Sequence, residues 1–136
     1  MTGNKEDYLK IIYELGGESK KVSNKEIAEG LGISPPSVSE MVKKLLKEGY
    51  VEYTSYQGVS LTEAGLKEAM KIRKRHLLWE VFLAEKLGYD IEDIHEEAEK
   101  LEHITSPKLE EHLDRFLNYP EFCPHGSRIR FKEEEN

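Results

Sequence analysis

A single cysteine, Cys123, stands in 136 residues, so no intrachain disulfide framework can hold this chain together. Long apolar runs are also missing. The longest, Leu77 to Ala84, is interrupted by Glu80 and is far shorter than a bilayer span, which argues against membrane insertion. The opening Met1-Thr2-Gly3-Asn4-Lys5-Glu6-Asp7 has no apolar stretch resembling a secretory leader, and the expected location is the cytoplasm. An excess of positive charge is lacking as well. The formal net charge is −7, which argues against a nucleic-acid partner until it is divided along the chain. Residues 1–75 hold 13 Lys/Arg against 11 Asp/Glu, and residues 76–136 hold 7 against 16. The first part can face phosphate and the second suits cations.

What is present reads as helices with clear punctuation. Tyr8, Ile11, Ile12 and Leu15 recur at helical spacing before Gly16-Gly17. Ser23 and Glu26 form a capping-box pattern that opens a short helix with Ile27, Ala28 and Leu31 on its apolar side, closed by Gly30 and Gly32. Ser34 is a good N-cap, with Pro35 and Pro36 in the first turn and an apolar stripe of Val38, Met41, Val42, Leu45 and Leu46 behind them. Tyr50–Tyr53 and Val59–Leu61 then read as strands around Ser55-Tyr56-Gln57-Gly58, a hairpin with a glycine in its turn. Three helices and such a hairpin make a winged helix.

Thr62 can cap a helix from Glu63 to about Leu87, which at ~1.5 Å per residue spans roughly 36 Å and can join two modules. A further helix follows Asp90, with Ile91, Ile94, Ala98 and Leu101 in a stripe. Ser106-Pro107 opens one more, carrying Leu109, Leu113, Phe116 and Leu117. Such stripes need a partner, so a homodimer through the helices after residue 62 is expected. The expected fold is mostly α: a winged helix-turn-helix over residues 1–62, then a helical metal-binding and dimerization domain over 63–136, with 63–75 as the linking part of the long helix. The tail after Phe131 is expected to be disordered.

Two groups of residues carry chemistry. In a helix-turn-helix the second helix enters the major groove, and here Ser37, Glu40, Lys43, Lys44 and Lys47 face away from the apolar stripe. Any amphipathic helix shows a solvated face. The capped start Ser34-Pro35-Pro36-Ser37, the nearby Ser39 and the downstream hairpin turn the reading toward DNA, with Tyr56 on the wing as a further contact. The second group is Glu99-Lys100-Leu101-Glu102-His103 with His95 before it. At ~100° per residue, positions 95, 99, 102 and 103 share an arc of roughly 100° beside the stripe. His76 and Glu80 form another i, i+4 ligand pair on the preceding helix. Solvent-facing helices explain each residue singly; the joint pattern points to a metal. Cys123-Pro124-His125 is either a loop or a further donor pair, and Asp7 lies at the margin of the first helix's apolar face.

Asn4-Lys5-Glu6-Asp7-Tyr8-Leu9, Ser34-Pro35-Pro36-Ser37-Val38, Glu99-x-x-Glu102-His103 and Cys123-Pro124-His125-Gly126 together resemble the diphtheria-toxin-repressor family, above all its manganese-dependent branch. The resemblance covers nearly the whole chain. It implies a homodimeric winged-helix regulator that binds double-stranded operator DNA and represses metal-uptake genes when loaded. It assigns Asp7, Glu99, Glu102 and His103 to a primary metal site, with His76 as a further ligand. Iron-dependent relatives typically have methionine and cysteine where Asp7 and Glu99 stand, so two oxygens here suit Mn²⁺. Fe²⁺ is the alternative effector, and Zn²⁺ or Co²⁺ can act as surrogates. For a second site the resemblance offers Glu80, Cys123 and His125, or His76, Glu80 and His95, and Glu80 is not expected to serve both. Longer members carry a C-terminal SH3-like domain, able to supply a ligand, that has no counterpart in these 136 residues. Lys10 stands where some short members have a glutamate, which speaks against their binuclear geometry.

Two other classes compete. Glu-x-x-Glu-His superficially resembles the His-x-x-Glu-His of inverted zinc proteases, but the first histidine is replaced and the rest of the chain is spent on a DNA reader and a dimer seam. A winged helix that binds partner proteins leaves the metal cluster unexplained. Neither an enzymatic activity nor a small-molecule substrate is expected.

Overall fold

The computed structural model describes residues 3–130, so the expectation for the tail after Phe131 lies outside the described residues. The chain divides into two compact units with the split between Lys71 and Ile72, inside one continuous helix.

The first unit holds α1 (Gly3–Glu14), α2 (Asn24–Leu31), α3 (Pro35–Lys47), β1 (Val51–Thr54), β2 (Gly58–Leu61) and the start of α4 (Glu63–Glu85). The caps read from sequence are formed. Ser23 Oγ accepts the Glu26 amide at 3.0 Å while the Ser23 amide donates back to Glu26 Oε1 at 3.2 Å, which closes the capping box. Ser34 caps α3 and Thr62 caps α4 through the Gly65 amide at 3.1 Å. The helices bury Leu9, Ile12, Ile27, Val38 and Leu45 against Val51 and Val59 of the hairpin. That apolar interior fixes which face of α3 remains outside.

The hairpin pairs Val51 with Leu61 and Thr54 with Gly58. Its glycine is the first residue of β2 rather than a turn residue, and the left-handed turn position, φ +66, belongs to Tyr56. Gly58 has φ +117, and a Cβ there would stand 2.2 Å from the Val22 carbonyl oxygen. Val22 bridges to Val59 in that place, so close backbone approach, not turning, demands the glycine.

The second unit comprises the rest of α4, α5 (Ile91–Glu102), α6 (Pro107–Phe116) and a segment reaching residue 130. The long helix ends at Glu85, slightly short of the expected Leu87, and Gly88 turns the chain at φ +70. Leu77, Leu78 and Val81 of α4 pack with Leu113, Leu117, Cys123 and Ile129. Of the two predicted stripes, Ile94, Ala98 and Leu113 are buried, while Ile91, Leu109 and Phe116 remain exposed. Among the described residues, no helix is long and apolar enough to cross a membrane.

Candidate functional site

The outer face of α3 carries Ser37, Ser39, Glu40, Lys43, Lys44 and Lys47, all exposed, because Val38, Val42 and Leu45 occupy the interior side. Pro35 and Pro36 fill the first turn, where the missing amide donor costs nothing. Ser34 Oγ and Ser37 Oγ lie 2.9 Å apart, so the tip of the helix presents a pair of hydroxyls ahead of the lysines. Asn24, the first residue of α2, donates to Ser39 Oγ at 3.3 Å and links the two helices of the helix-turn-helix. Tyr56 stands fully exposed at the wing tip.

In the second unit a chain of alternating carboxylates and imidazoles runs through buried space. Glu102 is fully buried, and its Oε1 lies 2.7 Å from His76 Nδ1; His76 Nε2 lies 2.8 Å from Glu80 Oε2. Only an imidazolium can donate to both carboxylates at once. The other Glu80 oxygen, Oε1, is 3.2 Å from His125 Nδ1. Burial by itself pushes the Glu80 carboxyl upward, yet hydrogen bonds and charge from His76, with hydrogen bonds from His125 and Cys123, hold it down at about 2. Glu80 is therefore an anion at neutral pH in spite of being 3% exposed.

Two sets of donors converge within this unit. In His76, Glu80 and His95, and in Glu80, Cys123 and His125, one ligand atom per residue comes within 4.8 Å of the others. The two groups share Glu80, whose Oε2 faces His76 and His95 while its Oε1 faces His125. Nitrogen, carboxylate oxygen and thiol sulfur at such separations are a donor set that fits a divalent transition ion.

Glu99 belongs to neither group. It is half-exposed and pairs with His95 Nε2 at 2.9 Å. His103 is the C-cap of α5, just beyond the helix, and is partly buried; Asp7 is partly buried on α1 of the first unit.

Three supporting contacts escaped the sequence. Thr105 Oγ accepts the Trp79 indole N–H at 2.8 Å and donates to the Leu101 carbonyl at 2.6 Å, pinning the end of α5 beside Glu102 and His103. Ser127 donates its amide to Cys123 Sγ at 3.3 Å. Arg130 grips Asp114 with bonds of 2.5 and 2.6 Å, fastening the far side of the Cys123–His125 turn to α6. Only the second left a trace: proline and glycine at the second and fourth places of Cys123-Pro124-His125-Gly126 signal a turn.

Comparison with known proteins agrees with this division. Residues 1–59 match the iron dependent repressor N-terminal DNA binding domain, and residues 62–130 match the iron dependent repressor metal binding and dimerisation domain. The chain is 42% identical over 118 residues to an HTH-type transcriptional regulator of Methanocaldococcus jannaschii, covering 86% of this chain and 94% of that protein. It is 36% identical over 129 residues to the HTH-type transcriptional regulator MntR of Oceanobacillus iheyensis, covering 95% and 86%. Among solved structures, that of the manganese regulator SloR superposes with a TM-score of 0.83 at 53% identity over 96% of this chain. The chain spans 61% of the SloR chain. With both of its parts matched in order, the chain belongs to the iron-dependent repressor family, whose members are metal-dependent transcriptional regulators.

Proposed function

We propose that this chain is a manganese-responsive repressor that, when loaded with Mn²⁺, binds operator DNA as a homodimer in the cytoplasm and shuts off genes for metal uptake. The observation that carries the reading is the buried Glu102–His76–Glu80 chain in the unit that matches a metal-binding domain. Burying carboxylates and imidazoles is costly unless they are paired or hold a cation. Manganese is favoured by the names of two relatives, MntR and the manganese regulator SloR, and by oxygen at positions 7 and 99. Fe²⁺ remains the alternative because the family as a whole is that of the iron-dependent repressors.

On this reading Glu99 (through its second oxygen), Glu102 and His103 bind the activating ion together with Asp7 of the first unit, and His76 supports them. Glu80, His95, Cys123 and His125 serve a second position. A bound divalent ion supplies the positive charge that relieves repulsion among the carboxylates. An ion that binds the DNA-competent form more tightly than the other raises DNA affinity by the same factor, so metal affinity and DNA affinity rise together. Ser34–Ser37, Ser39 and Glu40 then meet base edges and sugar-phosphate at the entry of the major groove, Lys43 and Lys44 hold phosphates, and Tyr56 reaches the backbone from the wing. Exposed Ile91, Leu109 and Phe116 supply an apolar surface for the second copy.

The test is to select operator sequences from a random duplex library with Mn²⁺ present, then measure gel shifts of the selected DNA with Mn²⁺, with Fe²⁺ under anaerobic conditions, and with chelator. Tight binding with Mn²⁺ that chelator abolishes is the expected result. Equal binding in chelator contradicts a metal switch, and a response to Fe²⁺ alone reassigns the effector.

A further inference from the structure

Glu80 is common to two donor groups, and the geometry around it goes beyond a choice between them. His76 turns Nδ1 to Glu102 at 2.7 Å and leaves Nε2 facing Glu80 Oε2. His95 does the reverse: Nε2 meets Glu99 at 2.9 Å, and Nδ1 faces the same Glu80 oxygen at 3.9 Å. The rings meet edge to face with centroids 4.9 Å apart. Each histidine thus has one nitrogen engaged by an outer carboxylate, Glu102 or Glu99, and the other nitrogen turned to Oε2, where a divalent ion would take the place of the proton. Such outer carboxylates are the usual support of metal-binding histidines.

Around Oε1 the support is built differently. Cys123 and His125 flank Pro124 in a tight turn in which the Gly126 amide donates to the Cys123 carbonyl at 2.9 Å and Gly126 adopts φ +87. The Cys123 amide donates to the Ser127 carbonyl at 2.9 Å, and the Ser127 amide donates to Sγ at 3.3 Å. Sulfur and imidazole are therefore held on one side, 3.2 Å separating His125 Nδ1 from Oε1. A carboxylate that binds one ion through each oxygen holds a pair about 3.5–4 Å apart.

We propose that Glu80 bridges two divalent ions at once, one held with His76 Nε2 and His95 Nδ1 and the other with Cys123 Sγ and His125 Nδ1. The proposal rests on the metal-binding reading of the second unit. The two positions differ in softness: nitrogen and oxygen suit Mn²⁺ or Fe²⁺ in the first, whereas thiolate and imidazole draw the softer Zn²⁺ or Co²⁺ to the second.

Ion counting separates a bridged pair from alternative single sites. The full chain is dialysed to saturation against Co²⁺, bound metal is measured by elemental analysis, and far-ultraviolet circular dichroism verifies the fold. For a bridged pair, His95→Ala and Cys123→Ser each bind one ion fewer than the wild type, and the double variant binds two fewer. The thiolate-to-cobalt charge-transfer band survives in His95→Ala and vanishes in Cys123→Ser. Exclusive sites give another pattern, in which both single variants keep the wild-type count and only the double variant loses one ion; that result overturns the proposal, as does an unchanged count in all three. His125→Ala replaces Cys123→Ser if the latter fails to fold. Operator binding is scored separately with His103→Ala, so the count can hold while the regulatory reading fails, and the reverse.

Discussion

Glu80 shows how a single side chain joins stability to chemistry. Its carboxyl sits at about 2 in the folded chain against an ordinary 4.5, because His76, His125 and Cys123 outweigh the effect of burial. The ionised form therefore favours the folded state above pH 4.5, and that contribution is lost as the pH falls from 4.5 toward 2. In urea denaturation with chelator present, Glu80→Gln should be less stable than the wild type at pH 7, and the gap should narrow by about pH 3. A gap independent of pH would mean that the charge on Glu80 contributes nothing. The sequence announced His76 and Glu80 as a pair through their i, i+4 spacing. It did not announce the second face of Glu80, since spacing along one helix says nothing of a turn 45 residues later. The arc of His95, Glu99, Glu102 and His103 is wide enough to reach from solvent to the interior: His95 and Glu99 pair at its exposed edge, while Glu102 is fully buried, a difference that spacing alone does not reveal.

At the scale of elements, caps and periodicity made most of the fold legible. Ser23, Ser34, Thr62 and Ser106 each open a helix where their side-chain oxygens satisfy amides that the helix cannot. The segment after α6 was not legible. Its bridge between Phe122 and Arg128 spans too few residues to show alternation, and its anchor, the Asp114–Arg130 pair, joins residues with no periodic relation. The exposed face of α3 makes a separable prediction. Lys44 lies outside the core and far along the helix from its cap, so Lys44→Ala should fold normally and bind metal as the wild type does. It should weaken binding to every DNA sequence and lower the slope of log affinity against log salt by about one unit. Salt-titrated gel shifts measure this, and a loss confined to one operator base pair would instead make Lys44 a base reader.

For the whole molecule, both the charge division and the apolar remainder bear on assembly. Residues 76–136 hold the excess of acid that suits cations, and the same region exposes Ile91, Leu109 and Phe116. A dimer at micromolar concentration is expected in sedimentation equilibrium, and Phe116→Glu should shift it to monomer without unfolding it, because Phe116 is 61% exposed in a single chain. Monomer alone in the wild type would contradict the dimeric reading. The sequence carried the need for a partner in its stripes but not the identity of the residues left uncovered.

In the proposed mechanism, metal at the histidine and carboxylate ligands of the second unit governs DNA binding by the first. The most direct measurement is operator affinity of His103→Ala, with Mn²⁺ and with chelator, beside calorimetric Mn²⁺ affinity. The expected result is weakened Mn²⁺ binding and no metal stimulation, while the weak, salt-sensitive affinity for any duplex persists because the α3 lysines are untouched. Full manganese-dependent operator binding by His103→Ala would contradict it.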